Sequence, residues 1–284
     1  MKSTRHTFQT SDGVQLSWLQ AGSGQTFLML PGWSQSASLF RDQLEGLSDQ
    51  FHCIALDYRG HGESEKINYG YRISRFAQDV HEFLNHLQLG QVTLLGHSMG
   101  ASVIWAYIDA IGSDQLSGIV IDDQPAAMTL LDDSPQSETE NAGAIFPWIQ
   151  LNESCNALKG PDSDRFTRNL MDNMLSDQIS RADRDWIMAE NFKFPRHHAA
   201  SLLFNHSSQD WRDLIKRIQV PTLIIGGESS VVPPASQRWI HRQIPNSILE
   251  IFPTDAGGHH FAFLENPERF NILLRKFLMG LKAR

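Results

Sequence analysis

Val92-Thr93-Leu94-Leu95-Gly96-His97-Ser98-Met99-Gly100 runs from an apolar segment into a glycine-flanked serine and then into a helical pattern. Strand, tight turn and helix in that order form the context in which G-x-S-x-G lifts a serine hydroxyl clear of the backbone. Glycines are needed on both sides because the turn draws backbone segments together and strains φ and ψ at the serine. The same turn aims the following N–H groups at one point, at the start of a helix. Ser98 is therefore the candidate nucleophile.

Around this turn, short apolar runs alternate with helical patterns, the signature of a mostly parallel, doubly wound α/β sheet. Strands are expected at Leu16–Gln20, Thr26–Leu30, Phe51–Leu56, Val92–Leu95, Gly118–Ile121, Thr222–Ile225 and Ile248–Phe252. Helices are expected at Ser38–Leu47, Ile73–Leu87, Met99–Ile111, Pro234–Gln243 and Pro267–Leu281. The first two strands are expected to form an antiparallel hairpin, because Ala21-Gly22-Ser23-Gly24 is too short for a crossover. From Met128 to His206 the alternation breaks, and apolar residues recur at helical spacing (Phe166, Leu170, Met171, Met174, Leu175). Residues 128–206 thus read as a helical lid inserted into a core made of 1–127 and 207–284. Insertions at the carboxyl ends of parallel strands overlie the active site of such sheets.

Composition limits the function classes. The 284 residues suffice for one large α/β unit, with 41% hydrophobic and 20% charged residues, as in ordinary globular proteins. A net charge of −8 and the lack of basic clusters argue against nucleic acid or an anionic membrane as a partner. No apolar run reaches membrane-spanning length, and the first residues carry no apolar signal core, so the default location is the cytoplasm. Cys53 and Cys155 are isolated thiols, which fits a reducing compartment but leaves a disulfide between them open. His197, His198 and His206 do not follow a metal-ligand spacing, and neither a metal nor a cofactor is expected.

Further segments carry a family resemblance. Leu30-Pro31-Gly32-Trp33, Asp57-Tyr58-Arg59-Gly60-His61-Gly62-Glu63-Ser64 and Gly257-Gly258-His259-His260-Phe261 followed by Glu265-Asn266-Pro267 accompany the serine turn in order. Together they resemble the α/β-hydrolase fold over essentially the whole chain. The resemblance implies a triad in the order serine, acid, histidine. The H-x-x-x-x-E-x-P register selects His260, which precedes Glu265, as the base. The acid is less regular. Relatives usually carry an aspartate after the penultimate strand in a G-x-x-D-like loop, whereas this loop reads Gly226-Gly227-Glu228-Ser229-Ser230-Val231-Val232-Pro233. The alternative place, at the end of the strand after the nucleophile's helix, offers Asp122 and Asp123. Asp122 is preferred, with Asp123 and Glu228 as the other candidates.

The expected oxyanion hole comprises the N–H groups of Trp33 and Met99. Asp57–Gly62 is expected to close a loop beneath the serine turn, with Arg59 and His61 bonding loop carbonyls. Trp33, Gln35, His97, Phe146, Trp148 and Trp186 are expected to line an apolar pocket, with Phe192 and Phe194 among the lid aromatics. The leading expectation is a serine hydrolase acting on an ester or lactone of a small-molecule, apolar or aromatic substrate. The alternative, on resemblance to cofactor-free dioxygenases, opens 3-hydroxy-4-oxoquinoline-type rings with a His260–Asp122 dyad. Those enzymes usually carry histidines where this chain has Gln35 and Met99, which weighs against it. A non-catalytic member of the fold is a third, weaker reading. Dehalogenases and epoxide hydrolases place an aspartate at the position of Ser98 and are set aside.

Overall fold

The computed structural model describes residues 2–281. Eight strands, β1 (Thr4–Gln9), β2 (Gln15–Ala21), β3 (Gln25–Leu30), β4 (Phe51–Leu56), β5 (Val92–His97), β6 (Leu116–Asp122), β7 (Thr222–Gly227) and β8 (Ser247–Phe252), form one sheet. Its order is β1-β2-β4-β3-β5-β6-β7-β8, antiparallel at β1–β2 and β2–β4 and parallel elsewhere. β3, β5 and β6 read as continuous apolar runs because helices cover both faces of the parallel part.

Among the described residues there are also twelve α-helices. They are α1 (Arg41–Leu47), α2 (Ile73–His86), α3 (Met99–Ala110), α4 (Gln136–Ala142), α5 (Trp148–Lys159), α6 (Ser163–Asp172), α7 (Arg181–Phe192), α8 (Arg196–Ser207), α9 (Arg212–Ile215), α10 (Pro234–Gln243), α11 (Ala262–Glu265) and α12 (Pro267–Leu281). One hydrophobic cluster joins the sheet to α2, α3 and the insertion, through Phe76, Val103, Trp105 and Leu202 among others. The other joins it to α1 and α12, through Leu44, Phe270 and Leu278. Cys53 and Cys155 are buried and unpaired, so no disulfide links them. No helix among the described residues is long and apolar enough to cross a membrane.

Two expectations about the sheet need correction. The strands at Leu16–Gln20 and Thr26–Leu30 do run in opposite directions, but they do not pair, because β4 lies between them. The chain crosses the width of β4 through Gly22, where a Cβ would lie 2.2 Å from the Phe51 carbonyl oxygen. Instead β2 forms its hairpin with β1, through a tight turn in which Gly13 takes φ 84°. β1 shows no apolar alternation, since Phe8 is its only buried residue, and that is why its sequence gives no strand signal.

The stretch between β6 and β7 is helical, as expected, and carries α4 to α9. Its neck is closed where it leaves and rejoins the sheet. Ala127 bridges Asp210, and the Trp211 N–H donates to the Ala126 carbonyl at 2.9 Å.

Candidate active site

Ser98 stands between the last residue of β5 and the first of α3, with φ 50° and ψ −122°. Such a conformation is costly for a residue with a Cβ and persists only where the surroundings force it. The forcing contacts are visible. A Cβ on Gly96 would lie 2.3 Å from the Ala101 nitrogen, and one on Gly100 would lie 2.2 Å from the Leu30 carbonyl oxygen. The second contact brings the serine turn against the Leu30–Trp33 loop, so the segments holding the Met99 and Trp33 N–H groups meet. Met99 opens α3, and the first N–H groups of a helix have no intrahelical acceptor.

His260 lies in the loop after β8 and is 3% exposed. Its Nδ1–H donates to Oδ2 of Asp123 at 2.6 Å. That bond fixes the proton on Nδ1 and leaves Nε2 free to accept one. Asp123 Oδ2 also accepts from the Ser230 hydroxyl, and the Asp123 N–H donates to the Ile225 carbonyl at 2.9 Å. The Ser98 N–H donates to the Asp122 carbonyl at 2.7 Å, which ties the nucleophile turn to the same strand end.

The preferred acid, Asp122, is not the partner of His260. It is fully buried, and its Oδ2 accepts from Nδ1 of His97 at 3.0 Å. The reason is register. Asp122 lies directly opposite His97 across the β5–β6 pair, so both side chains leave the same face of the sheet. Asp123, one residue on and with φ 53°, swings to the other side and reaches His260. Glu228 is excluded by position, being exposed with its Oε2 taken by the Thr254 N–H at 3.1 Å. Glu265 turns away from His260 as well. It lies 3.4 Å from His259 Nδ1 and accepts the Ser176 N–H at 2.9 Å.

His97 was expected in the substrate pocket but is sealed beneath the site. Its ring centroid is 4.7 Å from that of His260 and 4.8 Å from that of Phe263. Burial holds its imidazole well below the usual histidine range, with the neighbouring His260 acting in the same direction. Burial likewise pushes the Asp122 carboxyl well up, reinforced by the Asp123 charge.

Gln35 is also withdrawn, its side chain capping the Gly32 N–H at 3.0 Å. Trp186 lies under the Arg41 guanidinium, 4.1 Å from ring centroid to carbon, in a surface groove with Leu19 and Leu44. Trp148 faces Phe204 at 6.5 Å, and Phe146 packs partly buried against the larger cluster. Phe194 stacks on His61 at 4.0 Å and Phe192 lies beneath Arg196. Of the expected lining, Trp33 and Gln35 lie on the loop that meets the serine turn and His97 directly precedes Ser98, whereas Phe146, Trp148 and Trp186 belong to the insertion.

The Asp57–Gly62 loop is wired differently from expectation. Arg59 is fully buried and bonds carboxylates, not carbonyls: Asp79 at 2.6 and 2.7 Å and Asp12 at 2.9 and 3.0 Å. His61 does bond a carbonyl, that of Arg59, at 3.0 Å.

Ser230 was missed by sequence reasoning. It stands at the fourth position of the Gly227-x-x-D-like loop, where relatives place the acid itself, and that offset was the available signal. Among the described residues no cluster of three or more metal-ligating side chains occurs.

A serine on a strained strand–helix turn, a histidine–aspartate pair at the same sheet edge and an adjoining glycine-bearing loop thus meet at the carboxyl ends of the parallel strands. The sequence profile of the alpha/beta hydrolase family matches residues 27–272, and the chain belongs to that family. It is 28% identical to the non-heme chloroperoxidase CPO-A1 of Kitasatospora aureofaciens, over 95% of this chain and 98% of that protein. Among solved structures it resembles an esterase from Exiguobacterium antarcticum (25% identity, TM-score 0.86, covering 96% of this chain and 98% of that one). It also resembles a bromoperoxidase from Bacillus anthracis in fold (23% identity, TM-score 0.88, covering 97% and 100%).

Proposed function

We propose that the protein is a serine carboxylic-ester hydrolase that cleaves an ester or lactone of a small to medium apolar or aromatic substrate, without metal or cofactor. The observation that carries this reading is the 2.6 Å bond between His260 and Asp123 beside the strained Ser98 turn. His260 Nε2 takes the Ser98 proton as the hydroxyl attacks the ester carbonyl, then returns it to the leaving alcohol. Asp123 holds the imidazole in the required tautomer and stabilises the imidazolium without being protonated. The N–H groups of Trp33 and Met99 receive the oxyanion, and water then releases the acid from the acyl-serine by the same steps in reverse order of roles. The helical insertion acts as a lid, supported by its direct bonds to the loop carrying Trp33.

The ring-opening alternative was tied to a His260–Asp122 dyad; Asp122 pairs with His97, and the His260–Asp123 pair would serve either reaction. The similarity to an esterase over nearly the whole chain supports hydrolysis.

The test is covalent labelling by a fluorophosphonate, read by intact mass, with turnover of p-nitrophenyl esters alongside. Wild type should gain one phosphonyl group and turn over ester, and Ser98→Ala should do neither. A folded wild type that neither labels nor turns over removes the acyl-enzyme reading.

A further inference from the structure

In the loop that carries the proposed oxyanion donor, three of the four residues 33–36 bond the helical insertion. Trp33 Nε1–H donates to the Ala199 carbonyl in α8 at 2.9 Å. The Ser34 hydroxyl donates to the Asn191 carbonyl in α7 at 3.0 Å. The Ser36 hydroxyl donates to Glu190 Oε2, also in α7, at 2.6 Å. The remaining residue, Gln35, folds back on Gly32.

Ser34 is the strained member of this set. It is fully buried and has φ 61°, a left-handed conformation that a serine holds only under constraint. The constraint converges on one side chain. Arg196 Nη2 donates to Ser34 Oγ at 2.6 Å and to the Asn191 carbonyl at 2.6 Å. Nη1 donates to Asn191 Oδ1 at 3.0 Å, Nε donates to the Phe194 carbonyl at 3.0 Å, and Nη2 reaches the same Phe194 oxygen. A single guanidinium thus gathers the C-terminal end of α7, the α7–α8 junction and the strained loop residue.

Arg196 makes no ion pair among the described residues, in contrast to Arg59, Arg75 and Arg212, which each bind carboxylates. Burial draws it down from the usual arginine range to about 10. Holding a half-buried guanidinium with only neutral acceptors carries a desolvation cost that no carboxylate offsets. A planar fork is what the arrangement uses, since a lysine would offer one point charge in place of several directed donors.

We propose that Arg196 is a positioning residue that, through Ser34, holds the Trp33 N–H in its oxyanion-binding place, so that docking of the α7–α8 junction and completion of the oxyanion hole are one event. This rests on the hydrolase reading above for its catalytic half. Its structural half, that Arg196 orders residues 31–36, stands or falls separately.

The experiment compares wild type, Arg196→Gln and Ser34→Gly. Glycine adopts φ 61° without steric cost, so Ser34→Gly removes the hydroxyl while sparing the backbone. Amide hydrogen exchange over residues 31–36 is measured with the β5 strand as an internal reference. On the same preparations kcat and KM are measured for p-nitrophenyl butyrate. Both variants should raise exchange at 31–36 about tenfold or more while β5 stays protected. Both should lower kcat about 10- to 100-fold at nearly unchanged KM, because a displaced donor is lost to the transition state more than to the bound ester. If Arg196→Gln fails to fold, Ser34→Gly still decides. Unchanged exchange at 31–36 overturns the proposal, as does increased exchange with kcat within twofold of wild type. A wild type that hydrolyses no ester and resists fluorophosphonate sinks the hydrolase reading and the catalytic half with it, and the exchange data alone then decide whether Arg196 orders residues 31–36.

Discussion

Ser98 and Asp123 occupy equivalent steps on neighbouring strands. Each is the first residue past a register-matched pair, His97 on β5 and Asp122 on β6, and each takes a positive φ, 50° and 53°. The shared positive φ takes both residues out of the alternation of their strands, and Asp123 reaches His260 at 2.6 Å. Their predecessors stay in register and pair with each other beneath them. Two histidine–aspartate pairs therefore lie side by side, one beside the serine turn and one sealed below it.

Asp123→Asn should lower kcat for p-nitrophenyl esters by about four orders of magnitude, the loss typical when a triad aspartate becomes an amide and the imidazole takes the wrong tautomer. Glu228→Gln, altering an exposed side chain bonded to the Thr254 N–H, should stay within about twofold. The comparison is steady-state kinetics on folded protein. Equal losses in the two variants would contradict the assignment of the acid.

His97→Ala should destabilise the fold by about 3 kcal/mol or more, because it leaves the Asp122 carboxyl buried without its partner and opens space against Phe263. Asp122→Asn keeps an acceptor for His97 Nδ1 and should cost less. Urea unfolding at pH 7 distinguishes them, and a His97→Ala protein as stable as wild type would show that the buried pair is dispensable.

Ser230→Ala should reduce kcat about tenfold with little change in KM, since it removes one of the two side-chain donors to Asp123 Oδ2 and loosens the carboxylate that orients His260. A hydrogen bond to a charged group contributes about 1.5–3 kcal/mol, enough for an effect of that size. Wild-type kcat in Ser230→Ala would mean that His260 and the Ile225 carbonyl hold Asp123 by themselves.

His61 and His206 are buried neutral, and burial draws each down to about 3. In the unfolded chain both bind protons below their ordinary value near 6.5. Between about pH 6.5 and pH 3 the unfolded state therefore holds more protons, and stability should fall as pH drops through that window. His206→Gln retains a side chain able to bond the Ser102 hydroxyl, which His206 Nε2 meets at 3.1 Å, but cannot titrate. Its unfolding free energy should decline less steeply from pH 6.5 to 4.5 than that of wild type. Parallel stability–pH curves would place the acid sensitivity elsewhere.

Much of this architecture was written in local patterns. Phe51–Leu56, Pro234–Gln243 and Pro267–Leu281 form elements at the expected bounds because apolar periodicity and proline at a helix start act within a few residues. Ser98 was legible for the same reason, its turn being specified by the glycines beside it. His260 was legible from its spacing to Glu265, although Glu265 itself turned out to accompany His259.

What the sequence determined by itself was therefore the alternation of strands and helices, the serine turn and the histidine loop. Tertiary structure decided which strands are neighbours, and through them which carboxylate serves His260. The choice between Asp122 and Asp123 depends on the β5–β6 register and on one positive φ, neither of which is encoded in the residues of that segment alone. It decided likewise that His97 pairs with Asp122, that Gln35 folds back on Gly32, that Trp186 lies in a surface groove under Arg41, and that Arg196 bonds Ser34, 162 residues away in the chain. Those relations arise only when segments distant in the chain are packed together, because side-chain direction and burial are properties of the assembled sheet and its covering helices.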